Sequence, residues 1–165
     1  MPPPSGPWIL VIWMAAQVKM SERRTGGRLR VLFLCTHNSA RSQMAEGLLR
    51  DMAGDRFEMF SAGTEATHVR PEAISVMAEI GMDISDQESE TLEHYLGEPL
   101  DLVVTVCDDA NEACPFFPGA RDRLHWSFPD PSTVTGGYEE RLRAFRNVRD
   151  EIQARIEGEL VEATL

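Results

Sequence analysis

The sequence has little positive charge for its size. It contains 16 Lys and Arg residues against 27 Asp and Glu residues, which gives a formal net charge of −11. Proteins that bind nucleic acid carry a basic surface, so this balance argues against a nucleic-acid partner. The same overall field repels an anionic substrate. Any anion site in this protein must therefore be local, built from backbone amides and a nearby arginine.

Cysteine is also scarce, and the number of cysteines is odd. The chain has three, Cys35, Cys107 and Cys114. Small secreted domains that depend on disulfides usually carry more cysteines, in even numbers. We therefore expect free thiols in a reducing compartment, the cytoplasm.

The sequence lacks an apolar run that could span or enter a membrane. Residues 8–16 are apolar but shorter than the roughly 20 residues of a transmembrane helix. Only the terminal amine places a positive charge ahead of them, which makes a poor signal peptide. We expect no membrane partner. We expect residues 1–28 to be a disordered or non-native tail, residues 29–158 a catalytic α/β domain, and residues 159–165 a C-terminal tail.

Strand and helix patterns alternate along the rest of the chain. Apolar runs predict strands over 31–34, 57–61 and 100–106, with a weaker one over 123–128. Amphipathic spacing predicts helices over 43–52, 71–81 and 138–157, with Ile80 facing inward in the second, and a short helical segment over 91–96. This order predicts an α/β three-layer sandwich around a four-stranded parallel sheet.

The loop after the first strand has the composition of an anion site. Ligands of open α/β sheets bind at the carboxyl ends of the strands, where both Cys35 and Cys107 lie. The loop consists of small and polar residues and leads into a helix, so its amides and the helix dipole can bind an oxyanion. Its residues are Thr36, His37, Asn38, Ser39, Ala40 and Arg41.

Side chains around this loop point to a nucleophilic cysteine. Arg41 can bind an oxyanion through two nitrogens, and together with the helix start it favours the thiolate form of Cys35. Ser42 can donate a hydrogen bond to the same sulfur, and Asn38 tolerates a left-handed backbone. The alternative is a cysteine that merely fills the end of a buried strand. The combination with Arg41 and Ser42 favours the nucleophile.

A Cys-x5-Arg-Ser loop after the first strand resembles the low-molecular-weight tyrosine phosphatase superfamily, over about residues 30–157. The stretch from Cys35 to Gly47 is especially similar to the arsenate reductases of that fold. The spacing of Cys107 and Cys114 is similar to that of the thioredoxin-coupled members. The resemblance implies that Asp130 is a general acid, whereas without it Asp130-Pro131 reads as an ordinary turn.

This resemblance implies reduction of arsenate to arsenite, which needs two electrons and therefore a second thiol. Cys35 attacks arsenate while Asp130 protonates the departing oxygen, and Cys107 then attacks Cys35. Cys114 takes over the disulfide, which thioredoxin reduces. The expected partners are arsenate and thioredoxin, and we expect a monomer.

Two other functions remain open. A phosphatase of the same fold would use Cys35, Arg41 and Asp130 but leaves Cys107 and Cys114 unexplained. A phosphocysteine carrier or oxyanion-binding module, which is not an enzyme, would need only the loop and no general acid.

The sequence departs from its relatives at a few positions near the loop. His37 stands where many relatives have glycine. Some relatives bind potassium beside the loop, and Asn38, Glu46 and Ser61 match that site. Glu88 and Glu90 replace a threonine and an aspartate there. We predict no metal site and no cofactor, and the resemblance leaves the potassium ion open.

Overall fold

The computed structural model describes residues 27–108, 110 and 117–162. The four strands are β1 (Leu29–Cys35), β2 (Phe57–Gly63), β3 (Leu100–Thr105) and β4 (Ala120–His125), and the α-helices are α1 (Arg41–Ala53), α2 (Pro71–Ala78) and α3 (Tyr138–Ile156). Short 3-10 helices cover Leu92–Tyr95 and Pro131–Thr133, and a π-helical turn covers Glu157–Val161.

The strands form one parallel sheet in the order β2-β1-β3-β4. This confirms the predicted four-stranded parallel sheet. In the register of β1 and β3, Leu34 is opposite Thr105. The chain therefore leaves both strands at the same edge of the sheet, and Cys35 and Cys107 lie at that edge.

The sheet is the middle one of three layers, as predicted. On one face, alternate β1 residues such as Val31 and Phe33 pack in a cluster with the apolar sides of α1, α2 and α3. On the other face, Leu32 and Leu34 pack with Leu92 of a 3-10 helix and with Phe117. The alternation follows from the two-residue period of a strand.

The last strand lies earlier than predicted. It covers Ala120–His125 rather than 123–128, and its residues alternate between half-buried and exposed, as in an edge strand. Trp126 and Phe128 follow the strand and are 1% and 6% exposed. Their apolar character reflects burial in the core beneath the helices rather than strand pairing, which is why the sequence pattern was misleading.

The second helix is shorter than predicted. It ends at Ala78, and the chain then turns through Gly81, whose φ is +81°. The Met82 amide donates to the Met77 carbonyl at 3.0 Å, which closes the helix end. This turn brings Ile80 outward, where it is 36% exposed, so its predicted inward orientation is wrong.

The prediction that a C-terminal tail begins at residue 159 is wrong. The π-helical turn Glu157–Val161 continues from α3, and Leu160 is completely buried in the core. The Arg56 guanidinium donates to the Val161 carbonyl at 3.2 Å. The predicted N-terminal tail falls almost wholly outside the described residues, as does Cys114.

In the described part of the chain, no helix combines the length and the apolar character that crossing a bilayer requires.

Candidate active site

The loop from Thr36 to Ala40 turns its carbonyls outward into hydrogen bonds. The Thr36 carbonyl accepts from the Glu65 amide at 2.9 Å, and the Ser39 carbonyl accepts from the Arg70 amide at 2.9 Å. The three other carbonyls accept bonds from Thr67, Ser89, Gln43 and Met44. Within the described ranges, none of the five loop amides donates to another protein group. Free amides beside a helix start form a nest for an oxyanion.

The turn at Asn38 sets the shape of the loop. Its φ is +49°, the left-handed backbone for which asparagine is suited, and its side chain is completely buried. The Asn38 amide oxygen accepts from the Glu90 backbone N–H at 2.8 Å. Its amide nitrogen donates to Ser42 Oγ at 2.8 Å. The side chain thus joins the loop to the segment between α2 and the 3-10 helix Leu92–Tyr95.

The Cys35 sulfur lies 2.9 Å from Ser42 Oγ. Because Asn38 donates to that same hydroxyl oxygen, the hydroxyl hydrogen of Ser42 is free to point at sulfur. The hydrogen bonds therefore run in one direction, from Asn38 through Ser42 to Cys35. This arrangement allows Ser42 to donate a hydrogen bond to the sulfur.

The end of β2 approaches the loop closely at Gly63. A Cβ placed on Gly63 would lie 2.7 Å from the Thr36 carbonyl oxygen and 2.8 Å from the Asn38 nitrogen. Only glycine allows this approach without moving backbone. The sequence analysis did not single out this residue.

Arg41 connects the loop to the segment that follows β4. Its side chain is 10% exposed, and Nη1 donates to the Phe128 carbonyl at 3.1 Å. Nη2 lies 3.6 Å from Asp130 Oδ2. The guanidinium thus lies between the anion nest and the carboxylate expected to act as the acid.

Asp130 is held in place by the start of a short helix. Its Oδ1 accepts from the Ser132 amide at 2.9 Å and from the Ser132 hydroxyl at 2.7 Å, which leaves Oδ2 toward Arg41. Burial raises the pKa of Asp130, but the Ser132 hydrogen bonds and the charges of Arg41 and Arg70 outweigh it and lower the pKa overall. Without substrate the group is a carboxylate at neutral pH. An anion bound beside it would raise this pKa, because a like charge disfavours ionisation.

Cys107 lies against the loop from the side of β3. Its thiol is buried, and its sulfur is 3.4 Å from Thr36 Oγ1. The Ala110 amide donates to the same sulfur at 3.4 Å. The structure therefore brings two of the three cysteines to one site, and Cys114 lies outside the described residues.

A cavity of about 540 Å³ opens between these groups. Its lining residues come from the loop, from the end of β3 and from the segment after β4. They are Thr36, His37, Arg41, Cys107, Asp108, Ser127, Phe128, Pro129, Asp130 and Thr133. This volume accommodates a tetrahedral oxyanion and leaves the site open to a larger partner.

The three residues that match the potassium site of some relatives already have partners. Asn38 Oδ1 accepts from Glu90, and Ser61 Oγ donates to Glu46 Oε1 at 3.3 Å. Glu46 Oε2 lies 3.2 Å from the Arg50 guanidinium. Burial raises the pKa of Glu46, although Arg50 lowers it in part. Arg50 thus supplies a positive charge at this carboxylate, and the potassium ion that the resemblance leaves open stays a prediction.

Among the described residues, no group of three or more His, Cys, Asp and Glu side chains is arranged to hold a metal ion.

Two residues at the edge of this site were missed by the sequence analysis. His125 lies at the end of β4, and its Nε2 is 2.8 Å from Asp108 Oδ1. Asp108 lies just after a predicted strand, at the carboxyl edge of the sheet, and this position was a usable signal. His125 lies inside the predicted strand 123–128, so the misplaced end of β4 hid its position at that edge.

Comparisons with known proteins agree with this geometry. The family described as low molecular weight phosphotyrosine protein phosphatase matches residues 30–164. An arsenate reductase of Halalkalibacterium halodurans is 49% identical over 126 residues, which cover 76% of this chain and 91% of that protein. The solved structure of an arsenate reductase in the phosphate binding state has a TM-score of 0.71 at 31% identity, covering 82% of this chain and 98% of that one.

The name of a further protein of known structure includes its electron donor. This protein is a thioredoxin-dependent arsenate reductase of Corynebacterium glutamicum, with a TM-score of 0.55 at 26% identity, covering 91% of this chain and 72% of that one. The family match and the curated relative each cover most of the chain. The chain therefore belongs to the low molecular weight phosphotyrosine protein phosphatase family, among its arsenate reductases.

Proposed function

We propose that this protein reduces arsenate to arsenite through Cys35, Cys107 and Cys114, and that thioredoxin restores the thiols. The observation that carries the proposal is the buried Cys107 thiol in contact with Thr36 of the oxyanion loop. A phosphatase has no use for a second thiol there. A two-electron reduction requires one.

The first step uses the loop and the two groups that face it. Arsenate binds to the free loop amides and to Arg41, and the Cys35 thiolate attacks arsenic. A sulfur–arsenic bond forms, and one oxygen leaves as water after Asp130 protonates it. Ser42 stabilises the thiolate before the attack through its 2.9 Å contact.

The second step transfers two electrons to arsenic. The Cys107 thiolate attacks the Cys35 sulfur, a sulfur–sulfur bond forms, and the sulfur–arsenic bond breaks. The bonding pair stays on arsenic, which leaves as arsenite. The pairing of β1 with β3, which end at the same edge of the sheet, supports this attack by Cys107.

In the third step the Cys114 thiolate attacks the Cys107 sulfur. A Cys107–Cys114 disulfide forms, and the Cys35 thiolate is released. Each exchange requires the attacking thiolate to reach the sulfur that it attacks. The spacing of seven residues between Cys107 and Cys114 and the Corynebacterium enzyme named as thioredoxin-dependent support this step. Thioredoxin is the proposed reductant of the Cys107–Cys114 bond.

The proposal needs no resident cofactor, since the electrons come from thiols. It does need free thiols, and so we place the protein in the reducing cytoplasm. The first two steps use groups of a single chain and need no second copy, and we propose a monomeric enzyme.

Arsenate-dependent NADPH consumption with thioredoxin and thioredoxin reductase tests the proposal. We expect turnover with this donor, and loss of turnover in both Cys107→Ser and Cys114→Ser. The matched measurement is phosphate affinity, which depends on the loop and Arg41 and should be unchanged in both variants.

Three results would redirect the assignment. Normal arsenate turnover in the Cys107→Ser/Cys114→Ser double variant would replace the relay with a single-thiol route. Turnover with a glutathione-based donor but not with thioredoxin would exclude thioredoxin as the reductant. Hydrolysis of an aryl phosphate without any arsenate reduction would make the protein a phosphatase.

A further inference from the structure

The side chain of Asp108 is bound at both of its oxygens. His125 Nε2 lies 2.8 Å from Oδ1, and Ser127 Oγ donates to Oδ2 at 3.3 Å. Asp108 directly follows Cys107 and lines the oxyanion cavity together with Ser127. None of the chemical steps above uses Asp108, His125 or Ser127. We call these three residues the Asp108 clamp.

The histidine of the clamp is itself anchored to the sheet. Its Nδ1 lies 2.8 Å from Thr105 Oγ1, opposite it in the pairing of β3 and β4. A carboxylate only accepts hydrogen bonds, so Nε2 carries a hydrogen and donates to Asp108. In the neutral ring, Nδ1 then accepts from the Thr105 hydroxyl.

The same contacts survive protonation of the ring. In the imidazolium form Nδ1 donates to Thr105 Oγ1, and the Thr105 hydroxyl can donate to the Leu124 carbonyl at 3.4 Å. The hydroxyl is donor in one state and acceptor in the other. The ring therefore keeps its orientation in both states, as a positioning element requires.

The clamp restrains an exposed acidic side chain that directly follows Cys107. The Asp108 side chain is 70% exposed, and hydrogen bonds from His125 and Ser127 lower its pKa, with a smaller contribution from Arg41. Held by the clamp, this side chain restrains the backbone next to Cys107, whose sulfur contacts Thr36 and the Ala110 amide.

We propose that the Asp108 clamp positions the Cys107 sulfur for its attack on Cys35. This inference rests on the proposed cysteine relay. The clamp takes no part in bond making or breaking, in which the Cys35–Cys107 disulfide forms and arsenic leaves with the electron pair. Asp108, His125 and Ser127 are thus positioning residues for the disulfide-forming step and for no other.

The experiment isolates that step in the full-length Cys114→Ser protein, where the reaction stops at the Cys35–Cys107 disulfide. Reduced protein is mixed with arsenate, free thiols are alkylated at timed intervals, and the disulfide is quantified by mass spectrometry. We expect His125→Leu to slow disulfide formation roughly 10- to 100-fold, because small misplacements of a reacting group carry costs of that size. Phosphate affinity, measured by calorimetry, should be unchanged.

Two further variants separate positioning from a general structural effect. His125→Gln retains an N–H donor for Asp108 and should recover most of the lost rate. His94→Leu changes an exposed histidine in the 3-10 helix Leu92–Tyr95 and should react like the parent.

An unchanged rate in His125→Leu would overturn the clamp, and so would an equal loss of rate and phosphate affinity. Absence of any Cys35–Cys107 disulfide in the Cys114→Ser parent would overturn the relay and the clamp with it. The two failures are thereby distinguished.

Discussion

The two walls of the oxyanion cavity are built in different ways. The segment 35–42, which we call the loop wall, contributes Thr36, His37 and Arg41 to the cavity lining. This segment is largely buried, and Asn38 and Ser42 are completely so. Its carbonyls are bonded to segments distant in sequence, such as Glu65 and Arg70. The facing wall, residues 107–108 and 127–130, is more open, and the Asp108 side chain is 70% exposed.

This difference separates binding from reaction type. An anion nest must keep its amides in place before substrate arrives, because preorganised dipoles cost no rearrangement during the reaction. The facing wall carries Asp130 and Cys107, the groups to which the proposed mechanism assigns the chemistry on the bound anion. A phosphatase and a reductase can therefore share the loop wall and Asp130, and differ in the facing wall at Cys107.

The largest effect is expected at Cys35, because both the reductase and the phosphatase reaction need this residue. Cys35→Ser should reduce both arsenate turnover and any aryl phosphate hydrolysis to the level of buffer, because both begin with the same nucleophile. Coupled NADPH oxidation and release of the aryl alcohol measure the two activities. Retention of either one would place its nucleophile elsewhere and break the comparison.

Asp130→Asn should act on the facing wall alone. We expect formation of the Cys35 adduct to slow by about 10²–10⁴-fold, the usual contribution of a general acid, with phosphate affinity nearly intact. Rapid-quench mass spectrometry of the adduct measures this. In the parent, the rate of adduct formation should fall as pH rises through the pKa of Asp130 in the complex. The Asp130→Asn variant should not show this fall. An unchanged rate would reduce Asp130 to a turn residue.

Asn38 tests whether the loop wall is preorganised by its hydrogen bonds. Asn38→Ala loses the bonds to Ser42 and Glu90 and also places at φ +49° a residue that tolerates the left-handed backbone less well than asparagine. We expect a loss of about 2–4 kcal/mol in the free energy of unfolding, from left-handed strain and unsatisfied buried partners. Urea denaturation measures it, with phosphate affinity recorded alongside.

Asn38→Gly is the matched variant, since glycine adopts this backbone without strain. It should lose phosphate affinity while retaining more stability than Asn38→Ala. Equal stability of both variants would show that backbone conformation is not part of the preorganisation.

The smallest effect is expected at Glu79, away from both walls. Glu79 pairs with Arg146 and Arg149 between α2 and α3, and hydrogen bonds from Arg146 chiefly lower its pKa to about 2. A depressed carboxyl pKa adds stability above the unfolded pKa, and that stability is lost as pH falls from about 4.5 to about 2. Because the group is partly exposed, Glu79→Gln should cost about 0.2–1 kcal/mol near neutral pH.

Denaturation of parent and Glu79→Gln across this pH range measures the effect. The difference should shrink as pH falls toward 2 and disappear below it, and the exposed Glu151→Gln should show none at any pH. A constant difference would mean that packing rather than charge is lost.

Particular elements show how far sequence reasoning reached. The strand β1 and the loop from Cys35 to Ser42 could be predicted from the sequence, because local composition determines both. The end of β4 was not, because Trp126 and Phe128 are apolar for reasons of core burial. Ile80 was misplaced for a related reason, since a turn at Gly81 overrode the helical period.

The sequence by itself determined the order of strands and helices, the nest-forming loop and the presence of a second thiol, since these depend on neighbouring residues. Only the tertiary structure decided which distant groups complete the site. The approach of Gly63 to the loop, the bond from Glu90 to Asn38 and the Asp108 clamp each join segments far apart in sequence. They arise because a parallel sheet brings the carboxyl ends of its strands to one edge, and no local pattern specifies which side chains meet there.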